Sequence, residues 1–453
     1  MVTSTRRFHA ELAWLGGETA TADVLIEAVD GVITTVTPSV SVPSDAQRLA
    51  GLTVPGLVNA HSHVFHRAIR GHSQSGVADF WAWRDRMYAV AERLDPDTLY
   101  TLARATYAEM ALAGITTVGE FHYLHHDRDG SPYGDPNAMG DAVVRAANDA
   151  GLRITLLDTC YLQADVSGTA LEGVQRRFDD DSWEGWAGRL EHLSDTRMLR
   201  VGAAVHSVRA VPRAAMAPVA ELARRSGLPL HVHLSEQPAE NAACREAHGL
   251  TPTGLLDAEG VLGPNLTAVH ATHLTDTDIK LLAGSRTTIC MCPTTERDLA
   301  DGVGPAVRLT RAGSPLCVGS DAHMMIDLWE EARAIELDER LVSGTRGHLR
   351  AAELLTAATA SGAASLGWNA GRIAPGALAD LATVRLDTPR TAGARAGDAL
   401  AQTVFAATSA DVSTVIVAGR MIVDDGRHVD GPEVGTALDA AIAMVLGADL
   451  HDR

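Results

Sequence analysis

Four short segments of this sequence carry histidines and carboxylates in patterns that suit metal chemistry. The clearest is His61-Ser62-His63, in which one residue separates the two imidazoles. Side chains two residues apart on an extended segment point to the same side, so both rings can reach one ion. Three later segments offer similar groups, namely residues 231–236, 270–273 and 319–321.

A pair of histidines at this spacing is weak evidence alone, because histidines satisfied by ordinary hydrogen bonds give the same pattern. Three imidazoles and one carboxylate, however, form a complete ligand set for a transition metal, with one position open to water. Zinc is the first choice for such a set, and iron or another divalent ion is the alternative. We therefore predict that one divalent metal ion is bound by His61, His63, His233 and Asp321.

A metal ion in such a site makes hydroxide available at neutral pH, because it lowers the pKa of its bound water from ~15.7 toward ~7. We expect Asp321 to take the proton of that water and Glu236 to protonate a leaving nitrogen. His270 is expected to orient the water or polarise the substrate. Strict alternation would place His233 and Glu236 on opposite faces of a strand, so this assignment requires the strand to end near Leu234.

These segments need a scaffold that brings them together, and the middle of the chain predicts one. Eight short apolar runs alternate with stretches of helical periodicity, such as residues 99–113, 216–225 and 326–341. This alternation indicates a closed parallel (β/α)8 barrel, whose active site lies at the carboxyl ends of the strands. The predicted strands are residues 52–58, 115–118, 154–157, 201–205, 228–234, 266–269, 288–291 and 316–318.

Both ends of the chain have a different pattern. The first 50 residues alternate short β-like segments with turns, for example residues 24–28 and 32–36, and this style returns after residue 372. We expect the two ends to pair into one small composite β-sandwich domain beside the barrel. The expected division places residues 1–55 and 372–453 in the β-domain and residues 56–371 in the barrel.

The composition excludes several other functions. The net charge is −19, with 57 acidic against 38 basic residues and no basic runs, so nucleic acids and anionic membranes are poor partners. No run of 18 apolar residues exists, which argues against a transmembrane helix. The first residues lack the apolar stretch of a secretory signal, and the five cysteines lie mostly in apolar runs. We therefore expect a cytoplasmic protein with reduced cysteines.

Lysine is almost absent, since Lys280 is the only one among the 38 basic residues. A Gly-rich phosphate loop requires a lysine beside its glycines and is excluded, and Schiff-base chemistry has a single candidate. Two-metal sites on barrels of this kind commonly use a carboxylated lysine to bridge the ions. Lys280 lies in a helix-like stretch over residues 276–282, so the sequence predicts a site for one ion.

The residues above resemble the amidohydrolase superfamily of metal-dependent hydrolases over almost the whole chain. The segment 54–63, the Gly319-Ser320-Asp321 motif and the Ala379-Asp380-Leu381 tail carry this resemblance. Within the superfamily, the sequence is similar to the formimidoylglutamate deiminases of histidine degradation. The motifs that match this group are His63-Val64-Phe65-x-Arg67-Ala68, Trp83-Arg84-Asp85-x-Met87-Tyr88, Glu120-Phe121-His122-Tyr123, His206-Ser207-x-Arg209 and Thr295-Glu296-x-x-Leu299-x-Asp301-Gly302.

The resemblance implies a reaction and a set of substrate-binding residues. The reaction is hydrolysis of N-formimino-L-glutamate to N-formyl-L-glutamate and ammonia, by attack of a metal-bound hydroxide on the formimino carbon. The enzyme is expected to be a homodimer. Arginine suits the carboxylates of this anionic substrate, because its fork binds them bidentately. The residues implied to bind substrate are His66, Arg84, Tyr123, His206 and Arg209, whereas His122, His125 and His126 are expected to lie outside the metal site.

Two departures from the pattern of these deiminases leave the exact substrate open. His66 stands where the group has glutamine, and Asp298 stands where it has asparagine; a carboxylate that faced the pocket would repel an anion. The alternative is another single-metal deaminase that acts on a purine, pyrimidine or pterin ring, which the aromatic content of 4% supports poorly. An inactive barrel that serves as a scaffold is the third interpretation, and the complete ligand set with Glu236 and His270 argues against it.

Overall fold

The computed structural model describes residues 5–72, 80–431 and 433–451 of the chain. These residues form an eight-stranded parallel barrel and a separate eight-stranded mixed sheet, which is built from both ends of the chain. The predicted fold class is therefore confirmed. The first four residues, on which the expectation about a secretory signal partly rests, lie outside the described residues.

The strands of the described residues are, in chain order, β1 (Thr5–Ala13), β2 (Thr21–Val29), β3 (Val32–Thr37), β4 (Gln47–Pro55), β5 (Leu57–Ser62), β6 (Ile115–His122), β7 (Arg153–Cys160), β8 (Leu199–Ser207), β9 (Leu230–Leu234), β10 (Leu266–His270), β11 (Thr288–Met291), β12 (Leu316–Val318), β13 (Leu381–Val384), β14 (Val412–Val417), β15 (Arg420–Asp424) and β16 (Arg427–His428). Strands β5 to β12 form the barrel, and the other eight form the mixed sheet.

The α-helices of the described residues are α1 (Phe80–Ala91), α2 (Pro96–Leu112), α3 (Ala138–Asp149), α4 (Trp183–Leu190), α5 (Arg213–Ser226), α6 (Pro238–His248), α7 (Pro252–Ala258), α8 (Asp276–Gly284), α9 (Pro293–Asp298), α10 (Ala306–Ala312), α11 (Leu328–Ser343), α12 (Ala351–Thr356), α13 (Gly362–Ser365), α14 (Ala399–Ala406) and α15 (Val434–His451). The three stretches of predicted helical periodicity correspond to α2, α5 and α11.

The predicted barrel strands are present, with one difference at the first. The apolar run of residues 52–58 covers the end of β4 and the start of β5, which belong to different sheets. Gly56 separates them, and it lies so close to a neighbour that a Cβ there would come within 2.2 Å of Thr116 Oγ1. Because the end of β4 and all of β5 are buried, the apolar pattern runs through the break without a polar signal.

The barrel closes between its first and last strands, β5 and β12. Beyond Val318 the chain continues beside β5, where the Asp321 N–H donates to the His61 carbonyl at 3.0 Å and the His63 N–H donates to the Asp321 carbonyl at 3.2 Å. A parallel bridge pairs Ser62 with Asp321. The closure therefore joins the two segments that carry three of the predicted metal ligands.

The mixed sheet has the strand order β16-β15-β14-β13-β4-β1-β2-β3. Strand β4 lies near its centre, parallel to β1 and antiparallel to β13, so it connects the two ends of the chain. The sheet folds over onto itself, since Val32 of β3 bridges to Leu378, just before β13. It thereby encloses its own apolar core, which includes Phe8, Ile26, Ile33, Leu49, Leu381 and Ile416.

The C-terminal segment is not entirely β-structure. It also contains α14 and α15, and α15 packs against the barrel helix α2, where Val434 and Leu438 meet Ala105 and Ala108. Across residues 5–72, 80–431 and 433–451, no helix combines the length and the apolar character that crossing a membrane requires.

The structure shows where the five cysteines and Lys280 lie. All five cysteines are buried and none forms a disulfide. Lys280 is exposed on α8, as its helical pattern indicates. Its amine therefore lies on the outer surface of the barrel and away from the strand ends.

A buried ion pair joins the barrel to the mixed sheet. Arg153, at the start of β7, donates through Nε to Asp380 Oδ2 at 2.7 Å, and both side chains are almost fully buried. The other oxygen of Asp380 accepts the Ala418 N–H at 2.7 Å. The carboxylate of the Ala379-Asp380-Leu381 tail thus ties the two units together.

We expect Asp380→Ala to lower the free energy of unfolding by about 3–5 kcal/mol, because the Arg153 charge would stay buried without its partner. Asp387→Ala is the matched control, since Asp387 pairs with Arg385 on the surface, where ion pairs contribute little. Urea unfolding followed by far-UV circular dichroism measures both variants. Equal losses of stability in the two variants would contradict a special role of the buried pair.

Candidate active site

Four predicted metal ligands meet at the carboxyl end of the barrel. Nε2 of His233 lies 3.1 Å from Nε2 of His61 and 3.3 Å from Nε2 of His63. Oδ1 of Asp321 lies 3.3 Å from Nε2 of His61 and 3.4 Å from Nε2 of His63. All four residues are buried. The ends of β5 and β9 and the turn after β12 therefore aim their donor atoms at one point.

These separations are close to those around one bound metal ion. Zinc binds imidazole nitrogen and carboxylate oxygen at about 2.0–2.2 Å, so tetrahedral ligand atoms lie roughly 3.3–3.5 Å apart. Four of the six separations among these ligand atoms run from 3.1 to 3.4 Å. The donor set of three imidazoles and one carboxylate also suits zinc or iron. The residues present thus match a single divalent ion in chemistry and in spacing.

Backbone carbonyl groups orient two of the imidazoles. Nδ1 of His63 donates to the Phe121 carbonyl at 2.9 Å, and Nδ1 of His233 donates to the His206 carbonyl at 3.0 Å. A ring that donates through Nδ1 keeps its lone pair on Nε2, the atom that faces the cluster. Burial and the neighbouring His61 lower the pKa of His63 to about 3, and the same causes hold the pKa of His233 well below its ordinary value. Both rings are therefore neutral at pH 7, as metal ligands must be.

Glu236, His270 and Asp321 form the other half of the site. Nε2 of His270 lies 4.0 Å from Glu236 Oε1 and 3.8 Å from Asp321 Oδ2. Its Nδ1 lies 3.3 Å from Oε1 of Glu296, a residue to which the sequence analysis assigned no role. Burial opposes a charge on His270, but the surrounding carboxylates outweigh it and raise the pKa of His270 to about 10. The ring therefore donates on both sides, toward Glu296 and toward the cavity.

Asp321 stays ionised for a related reason. Burial opposes its charge, but the hydrogen bond with His61 and the charge of His270 hold the pKa of Asp321 below its ordinary value. The site thus places an ionised carboxylate among the imidazole donors, which favours a cation at their centre.

The backbone is left-handed where the strands end. Ser235, His270 and Asp321 have φ values of 50°, 68° and 42°. This conformation costs a non-glycine residue on the order of 1–3 kcal/mol and is concentrated at functional sites. Strand β9 ends at Leu234, and the turn at Ser235 brings Glu236 into the cavity that His233 also lines. The strand therefore ends early enough for His233 and Glu236 to face the same cavity, as the predicted role of Glu236 requires.

A polar network that the sequence analysis did not assign holds the ligand-bearing strands. Glu120 of β6 accepts the Ser62 hydroxyl at 2.6 Å and the Val64 N–H at 2.7 Å. Asn59 of β5 donates to the Ser320 hydroxyl at 2.7 Å and accepts the Ser320 N–H at 2.9 Å. The signal that could have revealed this network is a carboxylate and an amide inside otherwise apolar strands, because buried polar groups need partners.

The predicted substrate-binding residues line one cavity next to the ligand cluster. Nε2 of His66 lies 3.0 Å from the Tyr123 hydroxyl, and His206 is part of β8 instead of following it. Every predicted site residue is therefore found in the cluster or in this cavity. The predicted binding residues that line the cavity are His66, Arg84, Tyr123, His206 and Arg209.

Arg209 stands between two carboxylates at the edge of this cavity. Its Nη2 lies 3.8 Å from Glu236 Oε2, and its Nε lies 3.6 Å from Glu240 Oε2. In the part of the chain that the structure describes, these are ion pairs too long for hydrogen bonds, and no other acceptor meets the guanidinium. Its N–H groups are therefore available to a ligand.

Aromatic rings are concentrated in the same cavity. The whole chain is only 4% aromatic, yet five of these residues line this one site. The low overall content is therefore no argument against a ring substrate, because it averages over residues far from the pocket. The five are Trp83, Tyr88, Tyr123, Tyr161 and Phe178.

Four other polar residues lie outside the site. His122, His125 and His126 are buried away from the metal ligands, and Nε2 of His125 lies 3.1 Å from the Thr159 carbonyl. Among the described residues, the lining of the cavity does not include Asp298, which ends α9. Asp298 therefore does not repel an anionic substrate from the wall of the cavity.

Comparison with known proteins matches nearly the whole chain. The amidohydrolase family model matches residues 52–422. Formimidoylglutamate deiminase of Pseudomonas aeruginosa is 35% identical over 414 residues, which cover 88% of this chain and 91% of that protein. The 5′-deoxyadenosine deaminase of Methanothermobacter thermautotrophicus is 30% identical over 411 residues, which cover 89% of this chain and 90% of that protein.

Solved structures show the same architecture. An amidohydrolase from Brucella melitensis superposes with a TM-score of 0.88 at 31% identity, covering 98% of this chain and 100% of that one. An adenosine deaminase from Xanthomonas campestris with bound zinc has a TM-score of 0.85 at 24% identity, covering 99% of this chain and 98% of that one. Both the barrel and the mixed sheet are therefore shared with these proteins.

We expect Glu120→Gln to weaken metal binding about 10–100-fold, because the Ser62 hydroxyl and the Val64 N–H on either side of His63 would lose their carboxylate partner. Competition with a chromophoric chelator measures the affinity. Glu221→Gln, an exposed carboxylate on α5, is the matched control. Wild-type metal affinity in a folded Glu120→Gln protein would show that this network does not position the ligands.

Proposed function

The chain belongs to the amidohydrolase family, and from this membership we propose that it hydrolyses N-formimino-L-glutamate to N-formyl-L-glutamate and ammonia. The resemblance that the sequence motifs indicate is confirmed by the family match and by the Pseudomonas aeruginosa relative. One observation carries the choice of substrate: Arg209 presents open N–H groups in the cavity that the metal-ligand cluster borders.

The proposed substrate has two carboxylates and one amidine, and the cavity offers partners for both kinds of group. Arg84 and Arg209 line it, and arginine binds carboxylates bidentately. A protonated amidine is a cation, and Glu236 and Asp321 lie on the side of the cavity where it would react. The net charge of −19 repels an anion at long range, so capture must rely on these local cations.

We propose that His61, His63, His233 and Asp321 hold one divalent ion, with zinc first and iron second. When bound, such an ion makes a water molecule acidic enough to act as a nucleophile near neutral pH. Lys280 is exposed on α8 and cannot bridge a second ion, which supports a single-ion site.

Three side chains move or hold the protons of the reaction. Asp321, whose Oδ2 lies 3.8 Å from His270 Nε2, accepts the proton that the water loses. The Nε2–H of His270 orients the attacking oxygen, and Glu236 relays the protons that this oxygen gives up to the terminal nitrogen of the amidine. A C–O bond forms at the formimino carbon, the C–N bond to the terminal nitrogen breaks, and ammonia leaves N-formyl-L-glutamate behind.

A second candidate function is deamination of a purine-like ring. The aromatic lining of the cavity favours it, because flat rings pack well between aromatic side chains. The relative named 5′-deoxyadenosine deaminase favours it as well. The substrates of the two candidate functions differ in charge, since a nucleoside has no carboxylate for Arg209.

The resemblance also implies histidine degradation as the metabolic setting and a cytoplasmic homodimer as the form of the enzyme, which we propose with the reaction. Light scattering of the purified protein distinguishes a dimer from a monomer. A monomeric protein with full activity would contradict the proposed assembly and leave the reaction standing.

We expect purified protein of known metal content to release ammonia from N-formimino-L-glutamate and not from 5′-deoxyadenosine or adenosine. An enzyme-coupled ammonia assay measures all three substrates under the same conditions. Release from the nucleosides alone would establish the second candidate. Metal-loaded protein that releases ammonia from none of them would contradict both.

We expect Arg209→Met to lower kcat/KM for N-formimino-L-glutamate on the order of 100–1,000-fold, because loss of the charged partner of a bound carboxylate costs about 3–4 kcal/mol. The metal content should stay unchanged, since Arg209 is not a ligand. Arg213→Met at the exposed start of α5 is the matched control. Unchanged kinetics in Arg209→Met would remove this residue from the site.

A further inference from the structure

Glu240 is a buried carboxylate that the reaction above leaves without a role. It lies in the first turn of α6, and its side chain is only 1% exposed. Its Oε1 accepts the Ser235 N–H at 3.3 Å, whereas its Oε2 has no hydrogen-bond partner among the described residues. An ionised oxygen that is buried without a hydrogen bond costs free energy, so its presence requires a compensating interaction.

The interaction that Oε2 does make is with Arg209. Nε of Arg209 lies 3.6 Å away, which is close enough for strong charge attraction in a buried site but too far for a hydrogen bond. Arg209 lines the cavity and Glu240 does not, so Glu240 lies behind the guanidinium as seen from the substrate. It therefore compensates the charge of Arg209 without occupying the N–H groups that a substrate carboxylate needs.

The same side chain also holds the turn that carries the proton-transfer residue. The Ser235 N–H that Glu240 accepts belongs to the left-handed turn that places Glu236 in the cavity. Glu236 Oε2 lies 3.8 Å from Nη2 of Arg209, a second nitrogen of the same guanidinium. Without the attraction of Glu240, this guanidinium would move toward Glu236. Arg209 and Glu236 would then pair with each other and would not be available to the substrate.

We propose that Glu240 is a positioning residue that holds Arg209 ready for a substrate carboxylate and apart from Glu236. The inference rests on the proposed function, because it requires a ligand with a carboxylate. It makes Glu240 a determinant of anion binding that never touches the anion itself.

A double-mutant cycle tests whether Glu240 acts through Arg209. The probe is N-formyl-L-glutamate, the product of the proposed reaction, and its Kd is measured by isothermal titration calorimetry on metal-loaded protein. We expect Glu240→Gln to weaken binding about tenfold in the wild-type background and less than about twofold in the Arg209→Met background, since contacting residues are coupled. The amide oxygen of glutamine can still accept the Ser235 N–H, so the turn keeps its hydrogen bond.

Two further variants separate charge from packing. Glu240→Asp keeps the charge and is expected to bind the probe within about threefold of wild type. In the Arg209→Met background, Glu240→Asp should cause no further loss of affinity. Glu246→Gln, exposed on the same helix, is the matched control and should bind like wild type. If Glu240→Gln does not fold, the cycle with Glu240→Asp replaces it.

The outcomes distinguish this inference from the proposed function. An equal loss of binding in both backgrounds would mean that Glu240 only supports the turn, and wild-type affinity in folded Glu240→Gln would mean that it has no role; either overturns the inference and leaves the substrate assignment intact. Wild-type protein that neither binds the probe nor hydrolyses N-formimino-L-glutamate would overturn both.

Discussion

The pair of backbone hydrogen bonds between Asp321 and the strand of His61 and His63 is the contact on which the site depends. It uses the free edges of the first and last barrel strands, which a sheet must satisfy in order to close. The same contact sets three of the four donor atoms at the spacing of one ion. Barrel closure and metal binding are therefore linked, and an ion that binds only the closed barrel also stabilises the closed barrel.

The charges of the site follow from where each group is buried. The ligand imidazoles are held neutral because they are removed from water, whereas His270 is held protonated because carboxylates surround it. Positive and negative charges then alternate across a short distance. They belong to a cation at the ligand cluster, the acidic groups near it and the guanidinium of Arg209. A substrate that carries both an amidinium and a carboxylate matches this alternation.

Local spacing was enough to predict that His61, His63 and His233 come together, because these histidines need only the barrel to bring them to one place. The break at Gly56 was not predictable, since the end of β4 and all of β5 are buried and no polar residue marks the change of sheet. The approach of Glu240 to Arg209 depends on how the segment after β8 meets the first turn of α6, which no pattern along the chain encodes. The aromatic lining of the cavity was not predictable from composition, because composition counts residues and does not give their positions.

The position of β4 has a consequence for how the protein is made. One neighbour, β1, precedes it in the chain by about 30 residues, but its other neighbour begins at Leu381, whereas β4 ends at Pro55. At about 5–20 residues per second, a ribosome needs roughly 15–65 s to make the segment between them. Throughout that interval one edge of β4 has no strand to pair with, and an unpaired edge is prone to join strands of other chains. The part of the mixed sheet that precedes the barrel is thus completed only after the whole barrel has been synthesised.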